Sequence, residues 1–271
     1  MIRGLIFDIN GTTTDILTNE GHDEIFRTLA NFLDYQGIAI SPDELRELYF
    51  AINKRQRKES GEEFPEFDAV AIFKEIIDQR ASSYTERLPS DKLRFLPDIC
   101  AEVFRAASRF KLELYPGVLP TLAALKPKYQ LAALSDGQSV WGLPELHSVG
   151  LDGYFDPLFI SSDFGYRKPD PRLFAQIVKR MGLKATEVIF IGNDMYRDVF
   201  GAKTAGLKTV FFKSNQGDQR SRGAEADYII YHFPELLEAV HFFETASRAT
   251  SRTANGIASR TSDKLPARTI E

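Results

Sequence analysis

The sequence predicts an α/β protein: a doubly wound parallel sheet with an α-helical bundle inserted after its first strand. Three observations predict it. Residues 2–7 form a short apolar run that ends in a polar, glycine-containing loop, the pattern of a buried parallel strand. From about residue 19 to 108 the periodicity is helical only. After Tyr115-Pro116-Gly117-Val118, strand-like and helix-like segments alternate. One isolated strand cannot bury itself, so the first run joins the later sheet and the helical stretch is an insertion. The implied division is 1–17 plus 112–245 for the α/β core, 18–111 for the helical cap and 246–271 for a tail.

Each element follows from local chemistry. Thr18 or Asn19 can cap a helix with Phe26, Leu29, Ala30 and Leu33 on one face, stopped by Gly37. Ser41-Pro42-Asp43-Glu44 is a capping box with proline at the first helical position. Two further helices are expected from Glu66 to Arg80 and from Ser90 to Ser108. The later strands are Gln130–Leu134, Leu158–Ser161, Val188–Gly192, Lys208–Phe212 and Asp227–Ile230, with helices between them, one of which Asp170-Pro171 begins. A last helix runs from Pro234 to Glu244. Beyond it the chain is rich in Ser, Thr, Arg and Ala and reads as a disordered tail.

Composition narrows the function classes. The 271 residues are 43% hydrophobic and 27% charged, the balance of an ordinary globular protein. A formal charge of −4 gives no sign of a nucleic-acid or membrane surface. No apolar run is long enough to span a bilayer and the N-terminus does not read as a signal peptide, so a cytoplasmic location is expected. The single cysteine, Cys100, excludes an internal disulfide and reads as a core thiol.

Four polar clusters follow strand ends, where open α/β sheets place their ligands. Asp8 and Asn10 follow the first strand, and Ser135-Asp136-Gly137 follow Leu131–Leu134. Lys168 lies in Gly165-Tyr166-Arg167-Lys168-Pro169-Asp170, ahead of a helix. Asn193, Asp194 and Asp198 follow Gly192. Singly, each is an ordinary turn or cap residue; all four in this order are hard to reach by chance. Together they resemble the four motifs of the haloacid dehalogenase-like hydrolase superfamily, in the subfamily with a helical cap inserted after motif one. Tyr115-Pro116-Gly117 and Gly150–Asp156 are similar to family spacers.

The resemblance implies a Rossmann-like core, Asp8 as nucleophile, and hydrolysis of a small phosphorylated molecule through an aspartyl-phosphate. It implies Mg²⁺ to separate the anionic nucleophile from an anionic phosphate, held by Asp8, the Asn10 carbonyl and a motif-four side chain. Asn193 stands where an acid is common, so Asp194 is the favoured side-chain ligand with Asn193 kept open as the alternative, and Asp198 is either an outer partner or a charge at a helix N-terminus. Ser135, Asp136, Gly137 and Lys168 would meet the phosphate. Gly11 would allow a turn that presents the Thr12 N–H to it.

One departure bears on chemistry. Family phosphatases carry an acid two residues after the nucleophile, whereas this chain has Asn10, whose amide has no proton to transfer near neutral pH. The readings left open are a phosphatase whose leaving group is protonated elsewhere, a 2-haloacid dehalogenase or other hydrolase using Asp8, and a weak catalyst kept for binding. The acids Asp194 and Asp198 favour the first. The basic run Lys54–Lys58 reads as helix-end charge, Glu62, Glu63 and Glu66 as its neutralisers, and Trp141 and His147 as packing residues. Oligomeric state is open.

Overall fold

The computed structural model describes residues 1–220 and 223–246. Six strands form one parallel sheet: β1 (Gly4–Phe7), β4 (Gln130–Ser135), β5 (Leu158–Ile160), β6 (Val188–Gly192), β7 (Lys208–Phe212) and β8 (Tyr228–Ile230). Their spatial order is β5-β4-β1-β6-β7-β8. Alternate side chains feed two layers. Leu5, Phe7, Ile189 and Ile191 pack with α5 (Val118–Leu125) and a last helix, α9, over residues 236–246. Ile6, Ala132, Val188 and Phe190 pack with Leu173, Phe174 and Ile177 of α7 (Pro171–Arg180). Burial on both faces explains why these strands read as continuous apolar runs rather than alternating ones.

The register sets the site. Phe7 pairs with Ala133 and Ile191, so Asp8, Ser135 and Asn193 emerge together at the carboxyl edge of the three central strands.

The insertion contains α1 (Asp23–Asp34), α2 (Pro42–Glu59), α3 (Ala69–Arg80) and α4 (Ser90–Ser108). Its core is aromatic: Phe26, Tyr49, Phe73 and Phe104 are fully buried, and the Tyr49 and Phe104 rings stack 4.4 Å apart. Cys100 lies in this core, where burial pushes its thiol up to about 12. Trp141, on α6 (Ser139–Ser148) of the α/β core, joins the cap cluster. It stacks on Phe104 and donates its indole N–H to Ala101 O at 2.8 Å.

Four expectations need correction. The connection between core and cap is an antiparallel ribbon of β2 (Thr14–Thr18) and β3 (Arg109–Leu114), and the expected divisions at 17/18 and 111/112 cut through it. Because Thr18 belongs to this ribbon, the cap of α1 is His22, whose imidazole accepts from Glu24 N at 3.3 Å. Helix α3 begins after Asp68, which caps it, and Glu66 is left in a linker. The first strand starts at Gly4 rather than residue 2. The 246–271 segment lies outside the described residues apart from its first.

Candidate active site

At the carboxyl edge, Asp8 is buried and both carboxylate oxygens are engaged. Lys168 Nζ donates to Oδ1 at 2.7 Å and Thr12 Oγ1 donates to Oδ2 at 2.8 Å. Lys168 also donates to Asp198 Oδ1 at 2.6 Å, so one buried ammonium bridges two buried carboxylates. Burial opposes the Lys168 charge, but Asp198, Asp8 and Asp136 outweigh it and hold the ammonium protonated above the ordinary lysine range. Burial pushes Asp198 upward, Lys168 pulls it back, and the Asp8 charge pushes it up again; the net direction is up. Three charges in water-poor surroundings are tolerable only because their geometry is mutual.

The loop after β1 explains the arrangement. Gly11 has φ +87°, and a β-carbon there would come within 2.2 Å of the Asn193 amide nitrogen. The N–H groups of Thr12, Thr13 and Thr14 all turn back onto Ile9 O, at 3.1, 2.9 and 3.0 Å. The Thr12 N–H expected to face a phosphate is therefore already bonded inside the turn, and Thr12 meets Asp8 through its hydroxyl instead. Asn10 is half-buried and accepts from Thr14 Oγ1 at 3.3 Å.

Motif four divides differently from expectation. Asp194 caps a single wide turn, Met195–Phe200, closed by i→i+5 bonds. Its Oδ1 accepts from Tyr196 N and Arg197 N, and its Oδ2 accepts from Arg197 Nε and Asp218 N. Burial opposes its charge, yet these N–H groups and the Arg197 guanidinium hold its carboxyl below the usual range. The demand of a helix start thus engages the carboxylate expected to ligate a metal. The wide turn swings Asp198 back, so that Oδ2 accepts from the N–H groups of Asn193 and Asp194, each at 3.0 Å. Asn193 donates its amide to Ser214 Oγ at 3.3 Å, and its Oδ1 lies 3.2 Å from the Thr12 hydroxyl that bonds Asp8. Asn193 and Asp8 thus share the Thr12 hydroxyl, as Asp198 and Asp8 share the Lys168 ammonium.

A cavity of ≈ 200 Å³ lies between core and cap, lined by Asn10, Ser135, Asp136 and Gly137 from the edge loops. Asp136 accepts from Lys168 N at 3.0 Å, and its other oxygen lies 3.5 Å from Arg167 and 3.7 Å from Arg197. Its role is to hold the motif-three loop. The remaining wall joins the aliphatic side chains of Ile9, Leu112, Leu146, Leu158 and Ile160 to Trp141 and to the charged Glu20, Arg57, Glu66, Arg105 and Glu145. Arg105 forks onto Glu145 at 2.7 and 3.2 Å. Burial holds Glu20 above its ordinary range against the pull of Arg105 and Arg57.

Sequence reasoning therefore finds Asp8, Asn10, Gly11, Thr12, Ser135, Asp136, Gly137, Lys168, Asn193, Asp194 and Asp198, and the fold gathers them at one sheet edge. It misses Glu20 and Arg105 of the cap and Gln138, Glu145 and Arg167 of the core, because nothing local marks polar side chains that meet only where cap and core pack. In the basic run Lys54–Lys58, Arg57 alone lines the cavity, while Arg55 pairs with Glu75. Glu62 pairs with Arg172 rather than with that run. His147 is exposed and bonds Asp152. No helix among the described residues is long and apolar enough to cross a membrane.

Comparison with known proteins bears on the family and the fold. Glyceraldehyde 3-phosphate phosphatase of Pyrococcus furiosus is 34% identical over 128 residues, 46% of this chain and 53% of that protein. The protein of the same name from Methanocaldococcus jannaschii is 28% identical over 183 residues, 64% of this chain and 79% of that protein. The aligned stretch spans only about half the length of the first of these relatives. The crystal structure of a 2-haloacid dehalogenase from Pseudomonas syringae pv. Tomato DC3000 superposes with a TM-score of 0.62 at 20% identity. It covers 90% of this chain and 100% of that one, which speaks for the fold alone. The haloacid dehalogenase-like hydrolase family matches residues 2–206, three of its four motifs fall on the sheet edge built around Asp8 and the fourth, with Lys168, reaches in beside them, and the chain belongs to that family.

Proposed function

We propose that this chain is a phosphatase for a small phosphorylated metabolite, with Asp8 as nucleophile. The observation that carries the reading is the pairing of Asp8 with Lys168 at 2.7 Å, with Thr12 on the second oxygen. Lys168 holds Asp8 aimed, and its positive charge would stabilise negative charge that builds on a transferring phosphoryl group. A bond from an Asp8 oxygen to phosphorus forms as the bond to the leaving oxygen breaks, giving an aspartyl-phosphate that water then cleaves.

The oxygens around Asp8 fit a hard divalent cation of the Mg²⁺ type, which takes one or two carboxylates and completes its shell with water and phosphate. Asp8, the Asn10 carbonyl and Asn193 Oδ1 would hold it. Asp194 would serve by fixing the turn that carries Asn193. No group of three or more His, Cys, Asp and Glu able to hold a metal occurs among the described residues, so neutral oxygens must complete the set. A bound Mg²⁺ would neutralise charge between Asp8 and the phosphate.

Asn10 cannot protonate the leaving group. Glu20 is a carboxylate of the cavity wall held protonated to higher pH than usual, which suits it to that task. The cavity, ≈ 200 Å³, lies below the usual range of about 300–1,000 Å³ for ligand pockets, which favours a compact substrate. The triose-phosphate specificity in the names of the relatives is of that size class.

One observation favours a second reading. Both motif-four acids are engaged by protein groups, an arrangement that also suits displacement of halide by Asp8 without a metal. The test is a screen of phosphorylated metabolites and 2-haloacids, each with Mg²⁺ and with chelator. Phosphate release that needs Mg²⁺ and disappears in Asp8→Asn is the expected result. Halide release in chelator, without phosphate turnover on any ester, would overturn the proposal in favour of dehalogenation.

A further inference from the structure

The linker between α2 and α3 does more than join two cap helices. Residues 64–69 lie against two edge loops of the core. Glu66 N donates to Gly165 O at 3.0 Å and Arg167 N donates to Phe64 O at 2.9 Å, directly before Lys168. Gln138 grips the linker from the motif-two side, accepting from Ala69 N at 2.9 Å and donating to Phe67 O at 2.7 Å. Within this seam one charged side chain is buried. Glu66 Oε2 accepts from Ser161 Oγ at 2.6 Å, and Ser161 Oγ in turn accepts from Gly137 N at 2.9 Å. The relay therefore runs from a cap carboxylate through a core hydroxyl to a backbone N–H of the motif-two loop.

An acceptor oxygen on residue 66 is what this relay needs. Ser161 Oγ has one hydrogen and faces two acceptors, Glu66 and the Gly137 carbonyl at 3.2 Å. The nearer acceptor, Glu66 at 2.6 Å, takes the hydrogen and leaves a lone pair for the Gly137 N–H. Arg57 of the cap and Arg167 of the core lie 3.8 and 3.9 Å from Glu66, beyond hydrogen-bond reach, so Ser161 holds its Oε2 without competition from either guanidinium.

We propose that Glu66 is a positioning residue: with the cap seated, it fixes Gly137, and with it Ser135 and Asp136, through Ser161, while its backbone anchors the loop that carries Lys168. Loss of this acceptor frees the motif-two loop without touching Asp8. This rests on the functional reading only in assigning the loop to substrate binding; the relay itself does not.

Hydrogen–deuterium exchange on the full chain tests the relay without turnover. Glu66→Ala and Ser161→Ala should each speed exchange in the peptide spanning residues 133–139 by about tenfold or more, with strand β7 unchanged. The double variant should exchange no faster than either single one, because both remove the same connection. Glu66→Gln keeps an acceptor for Ser161 and should stay within about threefold of wild type at residues 133–139. With p-nitrophenyl phosphate as probe, Glu66→Ala should lower kcat about tenfold with KM within about twofold, since Glu66 acts through the loop. Unchanged exchange at 133–139 in Glu66→Ala, additive acceleration in the double variant, or acceleration spread equally to β7 would each overturn the proposal. A protein without phosphatase activity leaves the exchange result readable, so the two ideas fail separately.

Discussion

Replacing Asn10 by Asp tests whether the missing proton is what limits this site. The two side chains have the same shape, and the contact that Asn10 makes, accepting from Thr14 Oγ1 at 3.3 Å, is one a carboxylate also accepts. Asn10 lines the cavity and is only half-buried, so the new charge reaches solvent. Like-charge repulsion from Asp8 opposes the new carboxylate: two unit charges about 8 Å apart at an effective dielectric of about 20 repel by about 2 kcal/mol. The adjacent Lys168 ammonium offsets part of this. General acid catalysis contributes about 10²–10⁴-fold when the donor is well placed, or roughly 3–5 kcal/mol of barrier. A loop not tuned for the acid should recover the lower part, about 10- to 100-fold in kcat. The gain must grow with leaving-group basicity: large for alkyl phosphates, small for p-nitrophenyl phosphate, whose leaving group needs no proton. The assay is steady-state phosphate release across a series of esters, with peptide mass spectrometry confirming that position 10 of the wild type is Asn. A flat ratio of variant to wild type across the series, or a fall, refutes the reasoning.

Three further outcomes follow from the same geometry. Lys168→Met strands the Asp8 and Asp198 carboxylates, so it should abolish turnover and destabilise by about 3–5 kcal/mol in urea unfolding, with part of the stability regained in Lys168→Met with Asp198→Asn. If Glu20 donates the proton, the wild-type rate declines as pH rises through its elevated pKa, because the donor must be protonated; Glu20→Gln should lower kcat on alkyl phosphates and remove that alkaline limb. An unchanged pH profile would transfer the role to another group. Gly11→Ala combines a disfavoured φ with a β-carbon 2.2 Å from the Asn193 amide, so Asn193 must move. Half-saturation by Mg²⁺ should rise at least tenfold while Asp8 and Lys168 stay in place; unaltered Mg²⁺ dependence would remove Asn193 from the ligand set.

The antiparallel ribbon shows how legibility fails even when the signal is present. Arg109-Phe110-Lys111-Leu112-Glu113-Leu114 alternates polar and apolar residues with the period of a half-exposed strand. It sits at the end of a long helix, and its partner, Thr14–Thr18, is nearly a hundred residues earlier, so neither half looks stable alone. Asp194 fails differently. Its sequence position suits a metal ligand and a helix cap equally, and only the wide turn at 195–200 shows that the cap has claimed it.

By itself the sequence determined the parallel core, the inserted helices and the order in which Asp8, Ser135, Lys168 and the 193–198 segment reach one sheet edge. These follow from periodicity and from residues standing at strand ends, both local properties. Tertiary structure alone decided the partners. It brought Lys168 between Asp8 and Asp198, turned Asn193 rather than Asp194 onto the Thr12 hydroxyl that bonds Asp8, and seated the cap so that Glu20, Glu66 and Arg105 line the cavity. The reason is physical. Which carboxylate a buried cation or an orphan N–H takes depends on distances set by packing between elements far apart in the chain.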